Sequence, residues 1–319
     1  MHEAPKVSVV MSVYNDATYL REAIESILDQ TLHDFEFIII DDGSTDNTRA
    51  TVQSYNDPRI RLVDNETNLG LPISLNRGIG LARGEYIARQ DADDMSLPYR
   101  LERQAAYLDA HGDIAMSGCG WFQVDVDGDT FLTGGMKDSD SVIKARLIRE
   151  NLKFPHGCLM FRKAALEQIG GYDGRFRYTQ DLDLQLRMAK AGYSFGSVEG
   201  PLYRLRKSLE PDDFKRRCQD RFRALAFERF YSEGPVEIPD VLGEEAVARN
   251  KSRGGHRAGR GGYWYSVGIL AVGERHYSQT LKCLRNAIFT GDLLMSLRFS
   301  LRLAAISGRS ILRRLQSTA

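Results

Sequence analysis

Paired cysteines are missing from this sequence. Cys119, Cys158, Cys218 and Cys283 are scattered through 319 residues with no short paired spacing, which argues against a zinc site and a disulfide framework and fits a reducing compartment. No positively charged leader stands ahead of an apolar segment, because Met1 to Lys6 runs directly into a strand-like stretch; a cytoplasmic location is the expectation. Long hydrophobic runs are also absent. The most apolar late stretch, Tyr263 to Val272, is well short of the ~20 residues a membrane helix needs, so any membrane contact would be peripheral. No second histidine lies at ligand spacing from His156, which leaves it a structural or acceptor-contacting residue rather than a metal ligand. GxGxxG is missing between the first strand-like and helix-like segments, against a dinucleotide-binding oxidoreductase. The same place holds Tyr14-Asn15-Asp16, not the Gly-rich basic loop expected of a nucleotidyltransferase.

What is present is ordinary in bulk: 42% hydrophobic and 27% charged residues with formal net charge +0, the composition of a globular chain. The charge is unevenly placed. From Lys251 onward many arginines, including Arg253, Arg298, Arg302, Arg313 and Arg314, face only Glu274 and Asp292. A basic end of this kind suits an anionic surface or a solvated helical face.

The order of hydrophobic periods gives the architecture. Val7 to Val13 and Phe35 to Ile40 are short, nearly all-apolar runs, as in strands covered on both faces of a parallel sheet. Between them Leu20, Ile24, Ile27 and Leu28 recur at helical spacing. Further cycles follow, with strands at Ile60 to Val63 and Tyr86 to Arg89 and a helix near Leu71 to Ala82. The expected fold is α/β, a mixed but mostly parallel sheet flanked by helices. Later segments predict a helix on Leu101, Ala105 and Leu108, a strand from Ile114 to Val126, a helix near Ser141 to Arg149, a strand at Cys158 to Phe161, and a helix from Asp181 to Ala191 capped by Gly192. Residues 1–215 are expected to form the catalytic domain, and 216–319 a mainly helical C-terminal extension with a Gly/Arg-rich linker near 250–262. Leu293, Leu294, Leu297, Leu301 and Leu303 beside Arg298, Arg302, Arg309, Arg313 and Arg314 predict a basic amphipathic helix. It would bind an anionic membrane surface, or pack on the catalytic domain or in a homo-oligomer. No nucleic-acid partner is expected.

Three acidic elements carry the chemistry. Asp41-Asp42-Gly43-Ser44 leaves the second buried run, at the strand end where open α/β sheets place ligands. A carboxylate there can accept a nucleobase N–H, with Tyr14 against the base face; the plainer alternative is a helix cap. Asp91-Ala92-Asp93-Asp94 crowds carboxylates at another strand end, a set of hard oxygens suited to Mg²⁺ or Mn²⁺ with a diphosphate, or simply an acidic turn. Asp181 opens a polar helix start, where it is either a cap or a base.

These elements, in order, resemble the family 2 glycosyltransferases of the GT-A fold. The matching text is VSVVMSVYND, FEFIIIDDGSTDNT, NLGLPISLNRGIGLARGEYIARQDADD, FPHGCLMFRKAALEQIGGYD and QDLDLQLRMAKAGY, covering about Val7 to Arg206. The resemblance implies that Tyr14 and Asp42 bind the base with Ser12 beside them, and that Asp91 lies near ribose or metal. It implies that Asp93 ligates the metal and Asp181 is the catalytic base. Gln180 stands where the family usually has Glu, which leaves open an inactive GT-A-fold binding module as the alternative. The implied reaction is inverting transfer of a sugar from a nucleotide-diphosphate donor, with UDP favoured, to a hydroxyl of a glycan or lipid-linked acceptor in surface polysaccharide synthesis.

Overall fold

The computed structural model describes residues 4–135, 139–150, 154–207 and 213–238. The Gly/Arg-rich linker and the basic helices expected beyond residue 250 therefore lie outside the described residues. The chain divides into two compact units: residues 1–121, 134–205 and 215–240 form the first, and 122–133, 206–214 and 241–319 the second.

The first unit carries most of the strands. β1 (Val7–Val13), β2 (Phe35–Asp41), β3 (Ile60–Asp64) and β4 (Tyr86–Arg89) coincide with the apolar runs read from the sequence. β1 pairs in parallel with β2 and β4, and β2 with β3. The remaining strands are β5 (Met95–Ser96), β6 (Ile114–Val124), β7 (Thr130–Gly134), β8 (Met160–Arg162) and β9 (Ser194–Arg206), and the sheet order is β3-β2-β1-β4-β8-β6-β9-β5 with β7 beside β6. β8 is antiparallel to β4 and to β6. The mixed sheet expected from the sequence is present, parallel over its first four strands. β2 is buried along its whole length, and its one charged interior residue is satisfied: Glu36 accepts from Ser8 Oγ at 2.6 Å and from the Arg83 amide at 2.7 Å. Burial alone would push the Glu36 carboxyl up, but these hydrogen bonds hold it below its ordinary value.

Helices α1 (Ala17–Leu28), α2 (Thr48–Gln53), α3 (Leu71–Leu81), α4 (Arg100–Ala110), α5 (Asp140–Ala145), α6 (Lys163–Gln168), α7 (Gln180–Lys190) and α8 (Asp213–Tyr231) complete the described elements. α1 shows the logic: Leu20, Ala23, Ile24 and Ile27 are buried, one stripe at i, i+3, i+4, i+7 laid on the sheet. α8 is anchored by Phe222, edge-on to Phe176 with ring centroids 5.7 Å apart, and by Arg229, whose Nη1 donates to Asp173 at 2.8 Å and Asp183 at 3.1 Å. Asp173 is pushed up by burial, but the Arg175 and Arg229 guanidiniums hold it well below the usual carboxylate range. Among the described residues no helix is long and apolar enough to cross a membrane.

In the second unit the end of β6 and the start of β7 are joined by a turn. Asp125 Oδ1 accepts the amides of Asp127 and Asp129, each at 3.0 Å, and Arg206 Nη1 donates to the Asp125 carbonyl at 3.2 Å and the Val126 carbonyl at 2.8 Å.

Candidate active site

The chain leaves β1 for β2 on one side, while β4 lies on the other. The carboxyl ends of β1, β2 and β4 thus flank a topological switch point, where a doubly wound sheet opens a crevice. Ser12 is half-buried near the end of β1, opposite Ile40. Tyr14 follows, 37% exposed, a ring open to a ligand face. Asn15 then takes φ 50°, a left-handed conformation tolerated by Asn because its short amide can bond locally. Its Oδ1 accepts the Thr45 amide at 2.7 Å and its own amide donates to Ser44 Oγ at 3.0 Å, lacing the β1 loop to the β2 loop. Burial, and then the neighbouring Asp46 and Asp91 carboxylates, push the Asp16 carboxyl upward.

Asp42 is placed at the expected strand end. Its Oδ1 accepts from Asn65 Nδ2 at 2.7 Å, the Leu69 amide at 2.9 Å and Ser74 Oγ at 2.8 Å, and its Oδ2 accepts the Gly70 amide at 2.9 Å. Three of the four bonds fall on Oδ1 and one on Oδ2, tying the carboxylate to the loop before α3. Asp42 thus organises this loop from the strand end at which base binding is expected. Gly70 is required there by its φ of +90°, and the Arg177 Nη2 lies 3.2 Å from where a Cβ would sit. The segment leading into α7 is thereby brought against the loop before α3.

Asp91 follows β4. Arg89 Nη2 forms a short ion pair with its Oδ1, and the Asp91 amide donates to Tyr203 Oη at 3.2 Å. Asp93 sits half-buried in the following turn and Asp94 is buried at 2% exposure. Among the described residues no three His, Cys, Asp or Glu side chains converge into a metal site of their own. The donor chemistry still fits Mg²⁺ or Mn²⁺, because such ions use one or two carboxylates and take their other oxygens from water and substrate phosphates.

Asp181 is buried in the first turn of α7, its Oδ1 accepting the Leu182 amide at 2.9 Å. Asp183, two residues on, is locked by Arg187 Nε at 2.8 Å and by Arg229. Tyr172 is a buried phenol pushed well above its ordinary pKa by burial, with Arg89 opposing the rise and the Asp181 and Asp91 charges adding to it. Its Oη lies 2.6 Å from His156 Nε2, and Arg89 Nε approaches the same nitrogen at 3.3 Å. His156 is buried among these side chains. Asn76 pins Tyr172 through both its amide, at 2.8 Å, and its carbonyl, at 2.7 Å. Arg89, Arg100, Asn65, Asn76 and Tyr203 were not anticipated. The one usable signal was Arg89, a charged residue closing the otherwise apolar strand Tyr-Ile-Ala-Arg.

Thr179, the residue before α7, has φ 53° and ψ 26°, and its buried hydroxyl has no hydrogen-bond partner. A β-branched residue in the left-handed region is strained, and strain persists where the surroundings fix it beside a functional group. Thr179→Gly should raise stability by about 1 kcal/mol, read as a higher melting temperature of the intact chain.

Residues 8–170 match the model described as Glycosyl transferase family 2. The chain belongs to the family 2 glycosyltransferases. It is 39% identical to "Putative glycosyltransferase EpsE" of Bacillus subtilis (strain 168) over 68% of this chain and 78% of the relative. It is 29% identical to "Amylovoran biosynthesis glycosyltransferase AmsE" of Erwinia amylovora over 62% of this chain and 75% of that one. Among solved structures, S. aureus TarS 1–349 in complex with UDP-GlcNAc superposes with TM-score 0.54 at 17% identity, covering 90% of each chain. Mannosyltransferase PcManGT from Pyrobaculum calidifontis, in complex with GDP-Man and Mn²⁺, gives TM-score 0.54 at 18% identity, covering 95% of this glycosyltransferase and 81% of that chain. These likenesses establish the GT-A fold expected from the sequence.

Proposed function

We propose that this glycosyltransferase moves a sugar from a nucleotide-diphosphate donor, a UDP-sugar by preference, to a hydroxyl acceptor with inversion at the anomeric carbon. The observation that carries the reading is that Asp42 and Asp91 stand just past the carboxyl ends of β2 and β4, on either side of β1 and the exposed Tyr14 that follows it. Tyr14 and Ser12 line the base side, while Asp42 holds the loop 65–70 that faces it. Asp93, with Asp91 adjacent, would hold a Mg²⁺ or Mn²⁺ ion, which when bound supplies Lewis-acid stabilisation of the departing diphosphate. Asp181 takes the proton from the acceptor hydroxyl as its oxygen attacks the anomeric carbon, which is general-base catalysis. Burial keeps bulk water from competing for that proton. Relatives named for amylovoran and succinoglycan biosynthesis favour glycan assembly as the setting, with a glycan or lipid-linked acceptor.

Calorimetric titration of UDP, dTDP and GDP with and without Mn²⁺, on the native chain and Asp93→Asn, tests the donor site. One nucleotide should bind, and Asp93→Asn should lose about tenfold or more of the affinity in Mn²⁺. Absence of binding by all three would instead favour the inactive binding module that Gln180 leaves open.

A further inference from the structure

The two largest fully buried side chains in the described structure are both arginines, Arg89 at 1% and Arg100 at 0% exposure. Both lie at the acidic loop. Arg89 pairs with Asp91, and its Nη1 also donates to the Val10 carbonyl at 2.9 Å on β1. Arg100, at the start of α4, directs its N–H groups back at the same segment. Its Nη1 donates to Ser96 Oγ at 2.7 Å and Gln90 Oε1 at 3.3 Å, and its Nη2 to the Arg89 carbonyl at 2.7 Å. Its Nε donates to Gln104 Oε1 at 3.0 Å, and the guanidinium stacks 5.0 Å from the Tyr203 ring centroid. Tyr203 in turn accepts the Asp91 amide.

Burying a guanidinium costs free energy unless carboxylates and hydrogen bonds surround it; Arg89 has the Asp91 carboxylate, and Arg100 is held by side-chain and backbone oxygens of the same segment. We propose that Arg89 is a positioning residue that acts as a fixed counter-charge on Asp91, with Arg100 holding the segment that carries them both, giving nucleotide-diphosphate binding a component that needs no metal ion. Without Arg89 an incoming diphosphate would meet the Asp91 carboxylate stripped of this ion pair, in a site where water screens poorly. With it the Asp91 charge is offset before any cation arrives. His156 packs against the Arg89 fork, its Nε2 3.3 Å from Arg89 Nε and 2.6 Å from the Tyr172 hydroxyl.

This inference rests on the donor-site reading above. It is tested on the full chain by titrating UDP in EDTA and in Mn²⁺ for the native protein, Arg89→Met and Arg89→Lys, with thermal melting as the check of folding. The native chain should bind UDP in EDTA within about tenfold of its affinity in Mn²⁺. Arg89→Met should weaken binding about thirtyfold or more in EDTA but only about threefold in Mn²⁺, since a divalent ion replaces the missing positive charge. Arg89→Lys keeps the charge and should keep the native ratio between the two conditions to within about threefold; if Arg89→Met fails to fold, this ratio decides the matter alone. Equal losses in both conditions, a native chain that binds only with Mn²⁺, or a widened ratio in Arg89→Lys would overturn the inference while leaving the donor site in place. A native chain that binds no UDP in either condition would overturn both.

Discussion

Replacing Asp181 by Asn should lower the transfer rate by about 10²–10⁴-fold, the range by which a positioned general base contributes. Asn is isosteric and can still accept the Leu182 amide at the first turn of α7, so the helix start survives. What is lost is the ability to take a proton from the attacking hydroxyl. Donor affinity should stay within about threefold of native, because a group acting only in the transition state affects turnover rather than ground-state binding. Steady-state kinetics and nucleotide titration on the same preparation separate the two. A parallel fall in donor affinity would make Asp181 a binding residue; unchanged turnover would remove it from the chemistry.

The largest stability effect is expected at Asp42. Asp42→Ala strips the acceptor from four donors: Asn65 Nδ2, Ser74 Oγ and the Leu69 and Gly70 amides. Each hydrogen bond to a buried charge contributes about 1.5–3 kcal/mol, and these losses do not simply add. A destabilisation of about 3 kcal/mol or more is the expected result, accompanied by faster amide exchange at Leu69 and Gly70. Denaturant melts and exchange measurements read both. On the proposed donor-site reading, in which residues 65 to 70 line the base side, nucleotide affinity should fall with the loop. A stable Asp42→Ala chain with ordinary protection at Gly70 would return Asp42 to the simple role of base acceptor.

The parallel half of the fold was legible because burial on both faces leaves an unmistakable trace: Phe35–Asp41 is apolar except at Glu36 and its end, and the structure buries all of it. Strand-end position then pointed to Asp42 and Asp91 before any coordinates. Other parts left weaker traces. β9 runs from Ser194 to Arg206 through a charged and Gly-interrupted stretch, and its antiparallel partner β5 is only Met95–Ser96, so neither shows a clean period. Asp42 was located correctly but its partners were not, since Asn65 and Ser74 reach it only through a loop closure that no local pattern encodes. Arg89 and Arg100 were passed over for the opposite reason. Charged residues are usually read as solvated, and only the fold shows that these two are the interior support of the acidic loop.

The most direct test of the account is release of nucleoside diphosphate from UDP-, dTDP- and GDP-sugars by the native chain in Mn²⁺, followed alongside Asp181→Asn. The account predicts steady release from one donor class by the native chain and little from Asp181→Asn, although that variant still binds the same donor. Binding without release by the native chain, for every donor offered with candidate acceptors, would contradict it and leave a nucleotide-binding module without catalysis.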